Sequence, residues 1–323
     1  MDRGSLNVQD NPGLANWGRL DQNRSIFNGD VADEIEYERV VVNVKQGAIT
    51  GGPFIRIRPV FEYRTAEGKM KKFGKTGLFT WTSKMSCPSF SLPAGPAESG
   101  GTCPASKRRS VEAEGSYQEY HPPLSSMPSG QIYICDTCYA GKGRYLMYKS
   151  MSVGQMARLK WVTKQLRNGT FTRKMTEAIA SLLDPEIEDL LAAKLVSNKY
   201  FRIHDAGDFF SPDYYRAWVE VCHKLPEIRF WAPTRQWVFE KWRAVFDTSP
   251  PPQNLALRPS ALFTGAPPPM IPGMSAGSGS VDGRMPEPVW NCPAYESDEG
   301  SCAGAHCRTC WTGTKKPVNY LTH

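Results

Sequence analysis

The hydrophobic rhythm of the chain changes several times. Residues 1–35 are polar, rich in Asn, Asp and Gly and weakly patterned, which predicts a flexible arm. From residue 35 apolar positions recur with a period near two. "IEYERVVVNVKQ", "PFIRIRPVFEYRT" and "GKTGLFTWTS" are rich in β-branched and aromatic residues and read as strands. The rhythm is lost over 86–130, where Pro, Gly and Ser are frequent. A loop that long inside a compact domain needs something other than a core to order it. After Tyr145 the spacing becomes helical. "SMSVGQMARLKWVTKQLRNG" brings Met151, Met156, Leu159 and Leu166 near one face and ends on Asn-Gly. "TFTRKMTEAIASLLD" and "PEIEDLLAAKLVS" read as two further helices, the second with Pro at its start.

An alternation follows. "KYFRIHDAGDFF" is a strand running into a loop, and "SPDYYRAWVEVCHKLP" a helix with Ser211 as N-cap and Pro212 in its first turn. "EIRFWAPTR" is a strand, "QWVFEKWRAVFD" a helix and "NLALRPSALF" a strand. Strands alternating with helices predict a parallel sheet with crossover helices. The expected fold class is therefore α/β, an open or partial (β/α) barrel with an N-terminal β-rich segment and long cysteine-containing, metal-bound loops. The expected organisation is an arm at 1–35 and an α/β domain at 36–263 with a cysteine loop at 86–140. A Pro/Gly/Ser-rich connector at 264–289 then leads to a four-cysteine metal-binding tail at 290–323, packed on the domain.

Composition narrows the setting. The chain has 323 residues, 40 % apolar and 22 % charged, as in globular proteins. It holds no run of about 18 apolar residues and no signal-peptide pattern at its start, so the expected location is cytoplasmic, away from membranes. Thiols stay reduced there, which makes the nine cysteines metal ligands or core residues rather than bridges. The net charge of +7 permits an anionic partner, nucleic acid or a small anionic ligand, through "KMKKFGK", "SKRRS" or "TKK". P-loop, G-x-S-x-G, H-E-x-x-H and dinucleotide motifs are absent.

Eight cysteines divide by position into two sets of four. Cys87, Cys103, Cys135 and Cys138 precede the βα alternation; Cys292, Cys302, Cys307 and Cys310 follow it. Each set ends in C-x2-C, a turn that presents two thiolates to one centre. Cys222, at an apolar helical position, reads as core. Four thiolates suit an iron–sulfur cluster, one or two of the 4Fe–4S type, or zinc as the alternative. Irregular spacing and the Cys-Pro steps at Cys87, Cys103 and Cys292 tilt the reading towards iron–sulfur. The strand ends form a second candidate site. His204, Asp205 and Asp208 follow one strand, Thr234 and Arg235 the next, and Arg258 and Ser260 the third. Ligand-binding groups of α/β proteins stand at such ends. The bland alternative is a network of capping and surface salt bridges.

"TSKMSCPS", "GTCPA", "ICDTCYAGKGRY", "RIHDAGDFFSPDYYRAW", "IRFWAPTR" and "NLALRPSA" together resemble the bacteriophage gene product eighty-eight family, from about Lys75 to Ser260. That resemblance implies a phage-encoded protein of the host cytoplasm and carries organisation rather than a reaction. The C-x2-C-Tyr-Ala element is more distantly similar to radical S-adenosylmethionine proteins, which imply a three-cysteine cluster whose open iron holds that cofactor. This sequence departs from their pattern: C-x3-C-x2-C is absent, and Cys87 offers a fourth ligand that would close the cluster. The functional expectation is an iron–sulfur protein with redox or radical-type chemistry at the strand ends. The alternative is a zinc-stabilised nucleic-acid- or protein-binding protein without catalysis.

Overall fold

A computed structural model describes residues 76–111, 132–142, 149–183 and 197–321 apart from isolated positions, with Tyr145 and four short strands nearer the N-terminus. The expected arm, the helix at "PEIEDLLAAKLVS" and the 112–131 part of the long loop lie outside the described residues. Among the N-terminal strands, Ile35–Tyr37 pairs antiparallel with Ile55–Ile57, which pairs with Thr76–Gly77, and Phe61–Arg64 pairs with Met70–Phe73.

The centre is a five-stranded sheet. Its strands are β1 (Thr80–Trp81), β2 (Pro88–Ser91), β3 (Tyr200–Ala206), β4 (Arg229–Thr234) and β5 (Leu255–Pro259), in the order β5-β4-β3-β2-β1. Strands β2 to β5 are parallel and β1 is antiparallel to β2. Parallel neighbours need crossovers, and helices supply them. Helices α1 (Lys149–Arg167) and α2 (Phe171–Ala180) lie between β2 and β3, α3 (Pro212–Lys224) links β3 to β4, and α4 (Glu240–Thr248) links β4 to β5. The Ser211 hydroxyl caps α3 by accepting from the Tyr214 N–H at 3.2 Å, and Pro212 opens the helix at no hydrogen-bond cost.

Alternation along the strands divides the two faces of the sheet. Phe201, Ile203, Phe230, Ala232, Leu255 and Leu257 enter the main core with Trp161, Phe171, Trp218 and Trp242 from the helices. Cys222 is fully buried in the same core. In α1 the buried face runs through Val153, Ala157, Trp161 and Val162, whereas Leu159 and Leu166 are only partly covered. The face expected from Met151, Met156, Leu159 and Leu166 is thus offset from the true one, which is centred on the large Trp161 ring with the small Ala157 one turn before it.

The opposite face carries Trp231, which packs with Cys87, Cys310 and Trp311. The C-terminal cysteine segment therefore lies on the sheet. The 264–289 stretch is more than a connector. It contains β6 (Ser278–Val281), and β8 (Val318–Leu321) lies between β6 and β7 (Trp290–Asn291), parallel to both. Gly277 permits this packing, since a Cβ there would lie 2.1 Å from the Pro269 carbonyl oxygen and 2.8 Å from that of Pro259. Ser260 bridges Ser278 in parallel, so β6 continues the β5 edge. The architecture is mixed α/β with a parallel central sheet; among the described residues the sheet is open and forms no closed barrel.

Candidate metal centres

Three cysteines gather at the C-terminal ends of the strands. Cys103 ends a loop that folds back after β2: its N–H donates to the Gly95 carbonyl at 2.8 Å, and Thr102 N donates to Pro93 O at 2.9 Å. Cys135 lies in the short turn Ile134–Thr137, and the Cys138 N–H donates to its carbonyl at 3.3 Å. The Cys135 thiol reaches the Ala105 carbonyl at 3.8 Å, and the Tyr133 hydroxyl donates to the same oxygen. Cys103 and Cys138 pack with Ala94, Ala140, Ala206 and Tyr145. Burial raises the Cys103 thiol well above its usual value, reinforced by Asp208, Cys138 and Cys135. Burial likewise pushes Cys135 up to about 11, opposed by the charge of Arg235.

The loop after β3 seals this centre. Gly207 has φ +87°, and a Cβ there would meet Thr102 Oγ1 at 2.6 Å and Leu92 Cβ at 2.8 Å. Only glycine lets the two loops touch. The Asp208 N–H then donates to Thr102 Oγ1 at 3.2 Å. The Asp208 carboxylate accepts from Phe209 N, Thr234 Oγ1 and Arg235 N at 2.8–3.0 Å. Burial lifts its pKa to about 6 against those bonds.

Cys87 stands elsewhere. It precedes β2, whereas the Cys103 loop begins beyond the far end of that strand. At about 3.3 Å per residue, the run from Cys87 to Leu92 separates them by roughly 16 Å. Cys87 packs instead with Met85, Cys310 and Trp311, with Cys302 and Tyr320 at the edge. Burial raises its thiol strongly, Arg202 and Arg308 oppose that, and Cys302 adds to it. The eight cysteines thus form a group of three and a group of five, not two groups of four.

The C-terminal group is tied to the sheet by backbone bonds. Cys302 N donates to Lys84 O at 2.7 Å, Cys292 N to Asn319 O at 2.9 Å and Cys307 N to Cys302 O at 3.0 Å. The Cys310 thiol lies 3.1 Å from the Tyr320 hydroxyl. Burial pushes Cys302 up to about 11 and Cys310 up to about 12. Among the described residues no group of three or more His, Cys, Asp or Glu side chains converges closely enough to hold a metal ion. The thiols of each group are neighbours rather than a closed cage.

The strand-end residues have varied surroundings. Arg258 is fully buried and donates to the carbonyls of Cys310 (3.0 Å), Ala276 (2.6 Å), Thr309 (2.8 Å) and Lys316 (3.3 Å). It clamps the cysteine segment rather than facing a ligand site. Ser260 Oγ accepts from Ser278 Oγ at 3.3 Å. His204 is buried with φ +65°. Its ring packs on Phe209 and its Nε2 lies 2.9 Å from the Tyr214 hydroxyl. It faces the aromatic core. Asp205 accepts from Thr80 and Tyr145 hydroxyls at 3.2 Å each. Arg235 donates to Ala261 O at 3.1 Å and presents its charge to Cys135 and Cys138. Asp208, Thr234 and Arg235 therefore adjoin the three-cysteine group, while His204, Arg258 and Ser260 do not.

Sequence reasoning passed over Arg202, although it lies in the stretch that names His204. Its guanidinium sits 4.4 Å from the Trp231 ring centre and donates to Tyr139 Oη at 3.3 Å. The signal available was its place on the strand face opposite Phe201 and Ile203. The basic clusters are engaged where described: Lys107 pairs with Glu98, Arg108 lies over Phe263 and Lys316 over Trp290.

The model of the family described as "Gene product 88" matches residues 62–264. The chain belongs to the gene product 88 family. The match takes in Cys87 and the three-cysteine group and ends before the C-terminal cysteines. The Gene 88 protein of Mycobacterium phage L5 is 34% identical over 143 residues, 42% of this chain and 55% of that protein. The Gene 88 protein of Mycobacterium phage D29 is 33% identical over 117 residues, 34% of this chain and 45% of that protein. The chain spans about half the length of these curated relatives. No solved structure matches. The distant likeness to radical S-adenosylmethionine proteins gains no support from these comparisons. Among the described residues no helix is long and apolar enough to cross a membrane.

Proposed function

We propose that this phage protein is an iron–sulfur redox protein of the host cytoplasm. Cys103, Cys135 and Cys138 hold one 4Fe–4S cluster, and the C-terminal group holds a second. The observation that carries the reading is the division of the cysteines into three and five. Three thiolates leave one iron of a cubane without a protein sulfur, so that iron can take an exogenous ligand. Placing that cluster at the C-terminal strand ends agrees with where parallel sheets put their chemistry. Arg235, which faces Cys135 and Cys138, suits a small anionic ligand there. S-adenosylmethionine, although a net cation, would offer Arg235 its single carboxylate. The C-terminal group can supply four thiolates from five, closing its cluster and leaving it an electron store. Buried protonated thiols have no cause to converge; a metal supplies it by deprotonating them and drawing them together. The Ser260–Ser278 bridge, which carries the sheet on towards the cysteine segment, supports a partial barrel wrapped about this second centre.

The test is the iron, zinc and acid-labile sulfide content of anaerobically purified protein, with its visible spectrum. The reading expects about eight irons, matching sulfide and a broad visible charge-transfer absorption. Cys103→Ala should remove about half the iron and Cys302→Ala the other half. About two zincs, no sulfide and no colour would overturn it and favour a zinc-stabilised binding protein.

A further inference from the structure

Where the C-terminal segment meets the second face of the central sheet, cations and aromatic rings stand side by side. Lys84 Nζ lies 5.0 Å from the Tyr295 ring centre, the Arg308 guanidinium 5.3 Å from that of Tyr200, and Lys316 Nζ 5.8 Å from that of Trp290. Backbone bonds join these pairs into one surface. The Lys84 carbonyl accepts from Cys302 N at 2.7 Å, and the Cys302 carbonyl accepts from Cys307 N, next to Arg308, at 3.0 Å. The single guanidinium of Arg258 donates to the carbonyls of both Thr309 and Lys316, which brings Arg308 and Lys316 together. Trp290, on the edge strand β7, donates from its N–H to Pro317 O at 2.8 Å. Lys84, Lys315, Lys316 and Trp290 are exposed, the indole by 37 %. Arg284 and Glu296 pair with each other. Apart from that pair, the surface carries Lys84, Arg308, Lys315 and Lys316, and the described carboxylates beyond residue 284 are Glu287 and Asp298.

We propose that this surface binds single-stranded nucleic acid, with Trp290 as the platform on which a base stacks and Lys84, Arg308, Lys315 and Lys316 as contacts for the phosphates. Rings set between cations match a strand in which bases and phosphates alternate. An acidic peptide would engage the cations and leave the rings unused. A duplex keeps its bases stacked on one another and offers Trp290 no free face. A cation over a ring at an exposed site is held weakly, and lysine carries its charge on a flexible four-carbon stem. Lys316 can therefore leave the indole for a phosphate as a base moves onto it. Tyr295 and Tyr200 are half-buried and give Lys84 and Arg308 fixed places to rest. None of these residues is a cysteine, so the inference stands apart from the metal content proposed above. Trp290, Arg308, Lys315 and Lys316 lie beyond residue 264, where the family match ends, so the binding belongs to a part of the chain that the match does not reach.

The experiment titrates the full chain, as purified, into a fluorescein-labelled oligothymidylate of about fifteen nucleotides and reads fluorescence anisotropy. Four phosphate contacts on a single strand predict a slope of log affinity against log salt of about −3, so affinity should fall about fiftyfold between about 50 and about 200 mM salt. The double substitution Lys315→Ala, Lys316→Ala should halve that slope. Trp290→Ala should weaken binding about 5- to 150-fold with the slope unchanged, since it removes one stacked base and no charge. Trp290→Phe, which keeps a ring, should restore most of the affinity. Arg216→Ala, on the exposed side of α3 across the sheet, should bind as the parent does. If Trp290→Ala fails to fold, the Trp290→Phe protein and the double lysine variant decide. No binding of the oligonucleotide overturns the proposal. So does binding that ignores both Trp290 and the two lysines, or a duplex of the same length held as tightly as the single strand. Capture by phosphatidylserine vesicles without capture of the oligonucleotide overturns it in favour of an anionic lipid surface.

Discussion

Replacing Arg258 by methionine isolates the clamp that holds the C-terminal cysteine segment. The fully buried guanidinium serves four carbonyls, two of them in Thr309 and Cys310 themselves. A hydrogen bond to a charged group contributes about 1.5–3 kcal/mol, so four amount to roughly 6–12 kcal/mol of gross interaction. Against this stands the cost of holding the charge out of water, several kcal/mol for a buried ion. Methionine fills the stem volume and removes that cost, but it leaves four carbonyls without their donor. The net loss should be about 3–5 kcal/mol, the range found when one partner of a buried charged network is deleted. Lysine keeps the charge but presents a point rather than a fork, reaches fewer carbonyls and should fall between. Urea denaturation measures the stability, and metal analysis shows which centre suffers. On the iron–sulfur reading proposed above, the C-terminal group should lose metal while Cys103, Cys135 and Cys138 retain theirs. An Arg258→Met protein within about 1 kcal/mol of the parent, with its metal intact, would refute the clamp and return Arg258 to the candidates for ligand binding.

Other outcomes follow from the same geometry. Gly207→Ala should cost about 2–4 kcal/mol, from a strained left-handed backbone and the clash with Thr102 and Leu92; unchanged stability in chemical denaturation would dismiss the loop contact. If the proposed clusters are present, Cys87→Ser should alter the spectrum of the C-terminal one and spare the other, and the reverse pattern would restore the grouping expected from chain order. Ser211→Ala should destabilise by about 1 kcal/mol through loss of the α3 cap, as read by chemical denaturation. His204, held neutral by burial with its pKa down to about 3, ought to make the fold acid-sensitive. Between the unfolded value near 6.5 and that folded value the unfolded chain binds a proton the folded one refuses, so stability falls as pH falls, by up to about 1.4 kcal/mol per pH unit. Asp208, raised to about 6, binds its proton more readily when folded and opposes this trend between pH 6 and about 4. The comparison is therefore His204→Asn against parent: the variant should gain relative stability by about 2 kcal/mol at pH 5. Parallel pH curves would show that His204 does not titrate as stated.

Much of the architecture was legible because it is local. Period-two runs such as "KYFRIHDAGDFF" and "EIRFWAPTR" became β3 and β4, and Ser211-Pro212 opened α3, since alternation, caps and crossover length act over a few residues. Candidate ligands were legible by residue type: C-x2-C is a local device, and Cys222 sat at an apolar helical position. Assigning partners was beyond the sequence. Order along the chain placed Cys87 with Cys103, but a strand stands between them and carries the two to opposite ends of the sheet. Likewise, Arg202 and Arg258 lie on the sheet face opposite Phe201, Ile203, Leu255 and Leu257, and nothing local in the sequence says that Trp231 and the C-terminal segment lie on that face too. The 264–289 stretch looked unstructured because Pro and Gly give no rhythm. It is ordered by β8, more than thirty residues on, and by glycines that allow close backbone approach. The sequence alone determined which residues could carry chemistry; tertiary structure decided which of them meet, because chain separation and spatial separation are tied only as far as a single strand or helix extends.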